Sequence, residues 1–221
     1  MFEYDEGGSL CSIIDNGLID ALCTAVESRS AEGGDHVMRI KGYTRILLDQ
    51  VNDVYEMQLS QEEKEIAYSA SALHDIGKIA IPDSILLKPG RFTHDEFAVM
   101  KNHPELGCKI INSIRGFEDK RFLDCCYIIC RYHHERYDGA GYPDGLVGED
   151  IPLVAQIVSL ADVYEALVSK RSYRQSFSAE DAYNMIINGE CGAFSPNLLE
   201  CLRRAKEQME AFASQPLSDI M

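Results

Sequence analysis

Apolar positions in this chain recur at three- and four-residue intervals nearly from end to end, the spacing of amphipathic helices. Leu10, Ile13, Ile14, Leu18, Leu22 and Val26 form one stripe, and Val37, Ile40, Leu47, Leu48 and Val51 form a second that runs towards Tyr55. Each predicts a long helix. Ser60 with Glu63, and Thr93 with Glu96, place a hydroxyl three residues ahead of a glutamate, the pattern of a capping box at a helix start. Ser195 followed by Pro196 predicts the opening of the last helix. A helix from near Gln61 is expected to end at His74 and Asp75, where Gly77 stops regular winding, and another from near Glu118 to end at His133 and His134. The most strand that the pattern allows is a short hairpin near Asp144 to Ile151. The predicted fold class is all-α.

Composition narrows the functional classes. A chain of 221 residues that is 46% hydrophobic, with seven prolines, can bury one sizeable core or a core plus a short appendage. No stretch approaches the roughly 20 apolar residues of a bilayer span. The opening MFEYDEGGSL is acidic, where a secretory signal is basic and then apolar. A cytoplasmic location without membrane insertion is therefore expected. Eight cysteines without a CxxC pair favour buried reduced thiols over a zinc ribbon or a disulfide framework. A net charge of -15 argues against a general surface for a nucleic-acid polymer. An anionic ligand would need a local reversal of sign, which metal cations supply.

The histidines offer a place for such cations. His74 and Asp75 are consecutive in SALHDIGK, His103 precedes Pro104 in KNHPELG at an expected helix cap, and His133 and His134 open HHERYDGAGYPDG. Asp162, in SLADVYEAL, is an acid in an apolar helical stripe. Singly, His74 or His103 reads as a core or capping histidine, and Asp162 as an acceptor of backbone hydrogen bonds. Burying all of them in a small domain is costly unless cations pair them. Together they point to a hydrolytic metal centre.

In order, HDIGK, IPDSILLKPGRFTHDE, KNHPELG, HHERYDGAGYPDGL, ADVYEAL and RSYR resemble the signature of the HD-GYP domain family, a branch of the HD metal-dependent phosphohydrolases. The resemblance runs from about Ala21 to Glu210. It implies an HD helical core with additional helices, and hydrolysis of cyclic di-GMP. It implies His74, Asp75, His103, His133, His134 and Asp162 as metal ligands, with Gly141, Tyr142 and Pro143 as the GYP itself. In AEGGDHVMR, Glu32 and His36 match the pair with which some members hold a third metal; Glu32 reads alternatively as a solvated loop acid. Two ions bridged by Asp75 would use six or seven of these eight ligands, and three ions would use them all. Imidazole and carboxylate without thiolate suit iron or manganese.

Two such ions, roughly 3.5 to 4 Å apart, lower the pKa of a bridging water for in-line attack on phosphorus. Asp75 and Lys78 are then the catalytic pair, Lys78 touching the phosphate or protonating the departing 3′ oxygen. Arg171 and Arg174 match positions that hold the second phosphate and the base. Tyr142 and Pro143 would line the cleft, with plain packing the alternative for Tyr142. Two positions depart from the family pattern. Glu165 stands where an aspartate is common, and Phe194-Ser195-Pro196 replaces FDP, an exchange of one helix cap for another.

The expected organisation is an N-terminal helix over residues 1–30, with 1–9 as a linker remnant, a catalytic HD-GYP domain over 31–214 and a tail over 215–221. The first helix is expected to cover the core, because it leads directly into Glu32 and His36. Domains of this family usually follow a receiver or sensory domain. The expected partners are a cyclic dinucleotide, such a domain or a separate partner protein, and a second copy in a homodimer. Three functions stay open: a cyclic di-GMP phosphodiesterase yielding pGpG and/or GMP, an HD-fold hydrolase or oxygenase with another substrate, and a catalytically weak interaction module. The GYP loop and Lys78 argue against the second, and the intact ligand set against the third.

Overall fold

The computed structural model describes residues 10–29, 35–169 and 176–216, with side chains from residue 17 onwards. Among these residues the chain forms α1 (Leu10–Glu27), α2 (His36–Val54), α3 (Gln61–Ala70), α4 (Asp83–Leu86), α5 (His94–Met100), α6 (His103–Ser113), α7 (Lys120–Tyr132), α8 (Leu153–Val168), α9 (Ala179–Ile187) and α10 (Pro196–Ala213), and no strand. Both expected capping boxes are present, Ser60 with Glu63 opening α3 and Thr93 with Glu96 opening α5. Ser195 accepts from the Leu198 amide ahead of Pro196, which starts α10. Asp119 does the same for the Phe122 amide at the start of α7.

The core gathers on α2 and α8. Tyr43, Leu47, Leu48 and Val51 of α2 meet Ile157, Leu160 and Tyr164 of α8 and Leu198, Leu202 and Ala205 of α10. Tyr43 is fully buried, edge-on to Tyr164 at 5.0 Å and to Phe212 at 4.9 Å. Each fully buried leucine or isoleucine here, such as Leu47, Ile157, Leu160, Leu198 or Leu202, contributes about 1.5–3 kcal/mol. A second cluster joins Val37 and Ile40 of α2 to Leu73, Ile111 of α6, Phe122, Cys126, Ile129 and Cys130 of α7, and Val158 of α8. Val37, Leu73 and Cys130 lie next to or near His36, His74 and His133 in the chain. The packing that buries them therefore fixes those imidazoles.

Two expectations are corrected. On α1, Leu18 and Leu22 are more than half exposed, whereas Cys23 and Val26 are buried and Ile19 packs against the second cluster. The helix is rotated from the expected stripe because Lys41, itself buried, needs an anionic partner. Asp20 supplies it, with both carboxylate oxygens 2.7 Å from Nζ. The hairpin near Asp144 to Ile151 does not form; the segment is a loop with a 3-10 turn at Gly148–Asp150. The amides of Asp144, Gly145 and Leu146 are all taken by the carboxylate of Glu135, which leaves them none to give to a ladder. The seven described cysteines are all free thiols, five of them buried. No described helix is long and apolar enough to cross a membrane.

Candidate metal centre

Helix ends bring the predicted ligands together. His36 is the first residue of α2, His103 the first of α6, and His133 and His134 follow α7. The helix expected to reach His74 stops at Ala70 and tightens into a 3-10 turn, Ser71–Leu73, with another at Ile76–Ala80. Between them Asp75 leaves the helical region (φ −107°, ψ 12°). That break lets two consecutive side chains serve one centre, which a regular helix forbids. Gly77 makes the approach to α6 possible, since a Cβ there would lie 1.9 Å from the carbonyl oxygen of His103 and 2.5 Å from the amide nitrogen of Gly107.

Every buried imidazole is oriented by its Nδ1. His74 Nδ1 lies 3.0 Å from the Ser71 carbonyl oxygen, His103 Nδ1 2.9 Å from that of Met100, and His133 Nδ1 3.1 Å from those of Ile129 and Cys130. A carbonyl can only accept, so each Nδ1 donates, and in the neutral ring the lone pair is on Nε2. His36 has a carboxylate rather than a carbonyl beside it, its Nδ1 lying 2.9 Å from Oε2 of Glu165. This second layer of contacts is the arrangement that fixes metal-ligating histidines.

The lone pairs converge on Asp75. Its Oδ1 lies 3.1 Å from His103 Nε2 and 3.7 Å from His133 Nε2, and its Oδ2 lies 3.1 Å from His74 Nε2. The Nε2 atoms of His103 and His133 face each other at 3.4 Å. Asp75, His103, His133 and His134 form one group with ligand atoms within 4.8 Å of one another, and His36, His74 and Asp75 form a second. Asp75 belongs to both. Acceptors that face acceptors in a buried site need a positive charge between them. His74 Nε2 and Asp75 Oδ1 are buried without a hydrogen bond among the described residues, so the donor set fits divalent cations.

The electrostatics agree. Burial would raise the pKa of Asp75, but Lys78, His74 and His103 outweigh it and hold the carboxyl well below its usual range. Burial likewise lowers the pKa of His74, yet Asp75, with a further push from Asp162, leaves it raised. The local field thus favours positive charge at this imidazole. Burial lowers the pKa of His133, and burial together with His133 and His103 lowers that of His134 still further. Both shifts favour the neutral ring, the form in which imidazole ligates.

A family model described as HD domain matches residues 34–197. The chain belongs to the HD domain family. The cyclic di-GMP phosphodiesterase response regulator RpfG of Xanthomonas campestris is 40% identical over 197 residues, which cover 89% of this HD domain protein and 50% of that one. A 3'3'-cGAMP-specific phosphodiesterase 2 of Vibrio cholerae is 39% identical over 185 residues, 84% of this chain and 34% of that protein. The chain thus spans half or less of the length of these curated relatives. A crystal structure of cyclic GMP-AMP-specific phosphodiesterases in V. cholerae aligns with a TM-score of 0.64 at 17% identity, over 93% of this chain and 53% of that one, and shares the fold.

In this HD domain Lys78 lies against the centre, its Nζ 2.7 Å from Asp75 Oδ2. Asp162, half-buried on α8, falls in neither ligand group but is near enough to raise the pKa of His74 and Tyr142. Tyr142 stacks on His134, with centroids 4.7 Å apart and planes at 27°, and Pro143 beside it is partly buried. Glu32, Arg171 and Arg174 lie outside the described residues.

The loop owes its shape to three residues. Gly141 has no room for a side chain, since a Cβ would lie 2.3 Å from the Arg136 amide nitrogen. Gly139 takes a positive φ of 79° that disfavours other residues, and Asp138 accepts from the Ala140 amide. Glu135 was given no role by the sequence reading. It is buried, and its carboxylate accepts from the amides of Asp144, Gly145 and Leu146 at 2.7, 3.1 and 3.1 Å. A glutamate between paired histidines and a glycine-rich turn whose amides need acceptors was the available signal.

Proposed function

We propose that this HD domain hydrolyses a phosphodiester bond of cyclic di-GMP, giving linear pGpG and/or GMP. The observation that carries the reading is Asp75, shared by two groups of ligand atoms, with Lys78 on the carboxylate oxygen that also faces His74. In the proposal, His36 and His74 serve one ion and His103, His133 and His134 another, with Asp75 common to both and Asp162 completing the set. Divalent iron or manganese held there would supply an activated water and neutralise phosphate charge.

The chain's own groups do the remainder. Lys78, held next to Asp75, contacts a non-bridging phosphate oxygen or delivers a proton to the departing 3′ oxygen. Tyr142 and Pro143 wall the cleft, and Arg171 and Arg174 take the second phosphate and a base. Glu32 would hold a third ion. A cyclic dinucleotide substrate implies a cytoplasmic protein, and a receiver or sensory domain, a separate partner protein or a second copy is its natural regulator.

Metal analysis of anaerobically purified protein, joined to chromatography of the products from cyclic di-GMP, tests the reading. Two or three ions per chain with pGpG or GMP as product support it. A metal-loaded protein that leaves cyclic di-GMP intact overturns it. Glu32→Ala is expected to lower the ratio from near three towards two, and an unchanged ratio removes Glu32 from the site. A second reading, 3'3'-cGAMP as substrate, is favoured by the 39% identical relative of that specificity; competition between the two dinucleotides decides between them.

A further inference from the structure

A series of rings leads outward from the ligand cluster to the surface. His134 lies 4.9 Å from His103 and stacks on Tyr142. Tyr142 in turn meets Phe97 edge-on, with centroids 6.3 Å apart and planes at 82°. Phe97, on α5, is 45% exposed, an unusual position for a large aromatic ring that also has an aromatic neighbour. Lys101 places Nζ 5.3 Å from the Phe97 centroid and 5.7 Å from that of Tyr142.

The placement is rigid. The Thr93 capping box and the Lys88–Glu96 ion pair fix the start of α5, and only Lys101 and Asn102 separate that helix from His103. A nucleotide with its phosphate at the cluster and its base along the ring series His134, Tyr142 and Phe97 would reach this edge. Aromatic faces hold bases by stacking whatever their sequence, and an ammonium beside the ring adds a preference. Guanine presents two acceptors, O6 and N7, whereas adenine replaces O6 by an amino donor that repels a cation.

We propose that Phe97 and Lys101 form the purine edge of the cleft, Phe97 stacking one base and Lys101 selecting guanine through O6 and N7. The inference rests on the proposed nucleotide hydrolysis and adds a specificity determinant to it.

The chain contains no tryptophan, so Phe97→Trp creates a single fluorescent reporter at the exposed ring. GMP is expected to quench it, and ribose 5-phosphate, which carries no base, is not. AMP should quench at higher concentration than GMP, and adding Lys101→Ala should bring the two together. In turnover of cyclic di-GMP, Phe97→Ala should raise KM roughly tenfold with kcat little changed, and Phe97→Trp should restore KM.

The idea is overturned if GMP and ribose 5-phosphate act alike on the reporter, or if Phe97→Ala keeps the KM of the unaltered protein. Lys101 loses its part if guanine preference survives its removal. Because the fluorescence arm requires no turnover, quenching by GMP in a protein inert towards cyclic di-GMP would sink the proposed reaction while leaving the purine edge standing.

Discussion

The carboxylate of Glu165 and the imidazole of His36 meet at 2.9 Å, Oε2 to Nδ1, with both side chains buried. Ser169 donates to the other oxygen of Glu165 at 2.5 Å. The glutamate that departs from the family pattern therefore sits against a candidate ligand. Contacts of this kind are worth about 10–100-fold in metal affinity. Glu165→Ala should weaken metal binding by about that factor, with Glu165→Gln recovering part because it keeps one acceptor oxygen. Competition titration against a chelator measures it, and unchanged affinity in the alanine variant removes Glu165 from this role.

Asp75 is the member common to both ligand groups, and His74 is its neighbour at 3.1 Å. Asp75→Ala and His74→Ala are expected to lose bound metal and activity together, activity by about a hundredfold or more. Metal content and turnover measured on one preparation check this. A variant with full metal and full turnover would show that the site has been misassigned.

Glu135 satisfies three backbone amides from a buried position. Its removal strands those donors, at about 1–3 kcal/mol each when they cannot reach water. Part of that cost is recovered by hydration, since the loop borders solvent. Glu135→Ala should then cost about 3 kcal/mol, roughly 6–12 °C in Tm for a chain of this size. Thermal unfolding reads the shift, and a change under about 2 °C would mean that the loop holds itself.

Gly77→Ala would place a methyl group 1.9 Å from the His103 carbonyl oxygen. The 3-10 turn and α6 must separate, moving Asp75 away from His103. A stability loss of about 1–3 kcal/mol is expected, with metal affinity falling in parallel. Denaturant midpoints and metal titration on the same variant test the coupling; stability lost without any change in metal affinity would place the strain elsewhere.

The all-α fold was legible in the sequence because its signals are local. Capping boxes at Ser60 and Thr93 and the proline start of α10 depend on residues within one helical turn. His74, Asp75, His103, His133 and His134 were legible as a set because their chemistry is costly to bury unpaired, whereas His36 entered only through the family resemblance. The rotation of α1 was not, because Leu18, Ile19, Leu22, Cys23 and Val26 offer two apolar faces, and the choice rests on Asp20 meeting Lys41 from another helix. The short hairpin allowed as an upper bound after Gly141 is absent for a related reason. A carboxylate nine residues earlier in the chain claims the amides that a ladder would use.

The anchors of His74, His103 and His133 are main-chain carbonyls at the ends of turns. No substitution deletes a carbonyl oxygen, so the aim of these three rings is inherited from backbone geometry and is insulated from side-chain drift around them. The anchor of His36 is different in kind, being a side chain that a single codon change can shorten, neutralise or remove. Tuning of this centre by point mutation therefore has an entry on the His36 side that it lacks at the other three rings, and a designer who wanted to soften one end of the site while keeping the other rigid would begin at position 165.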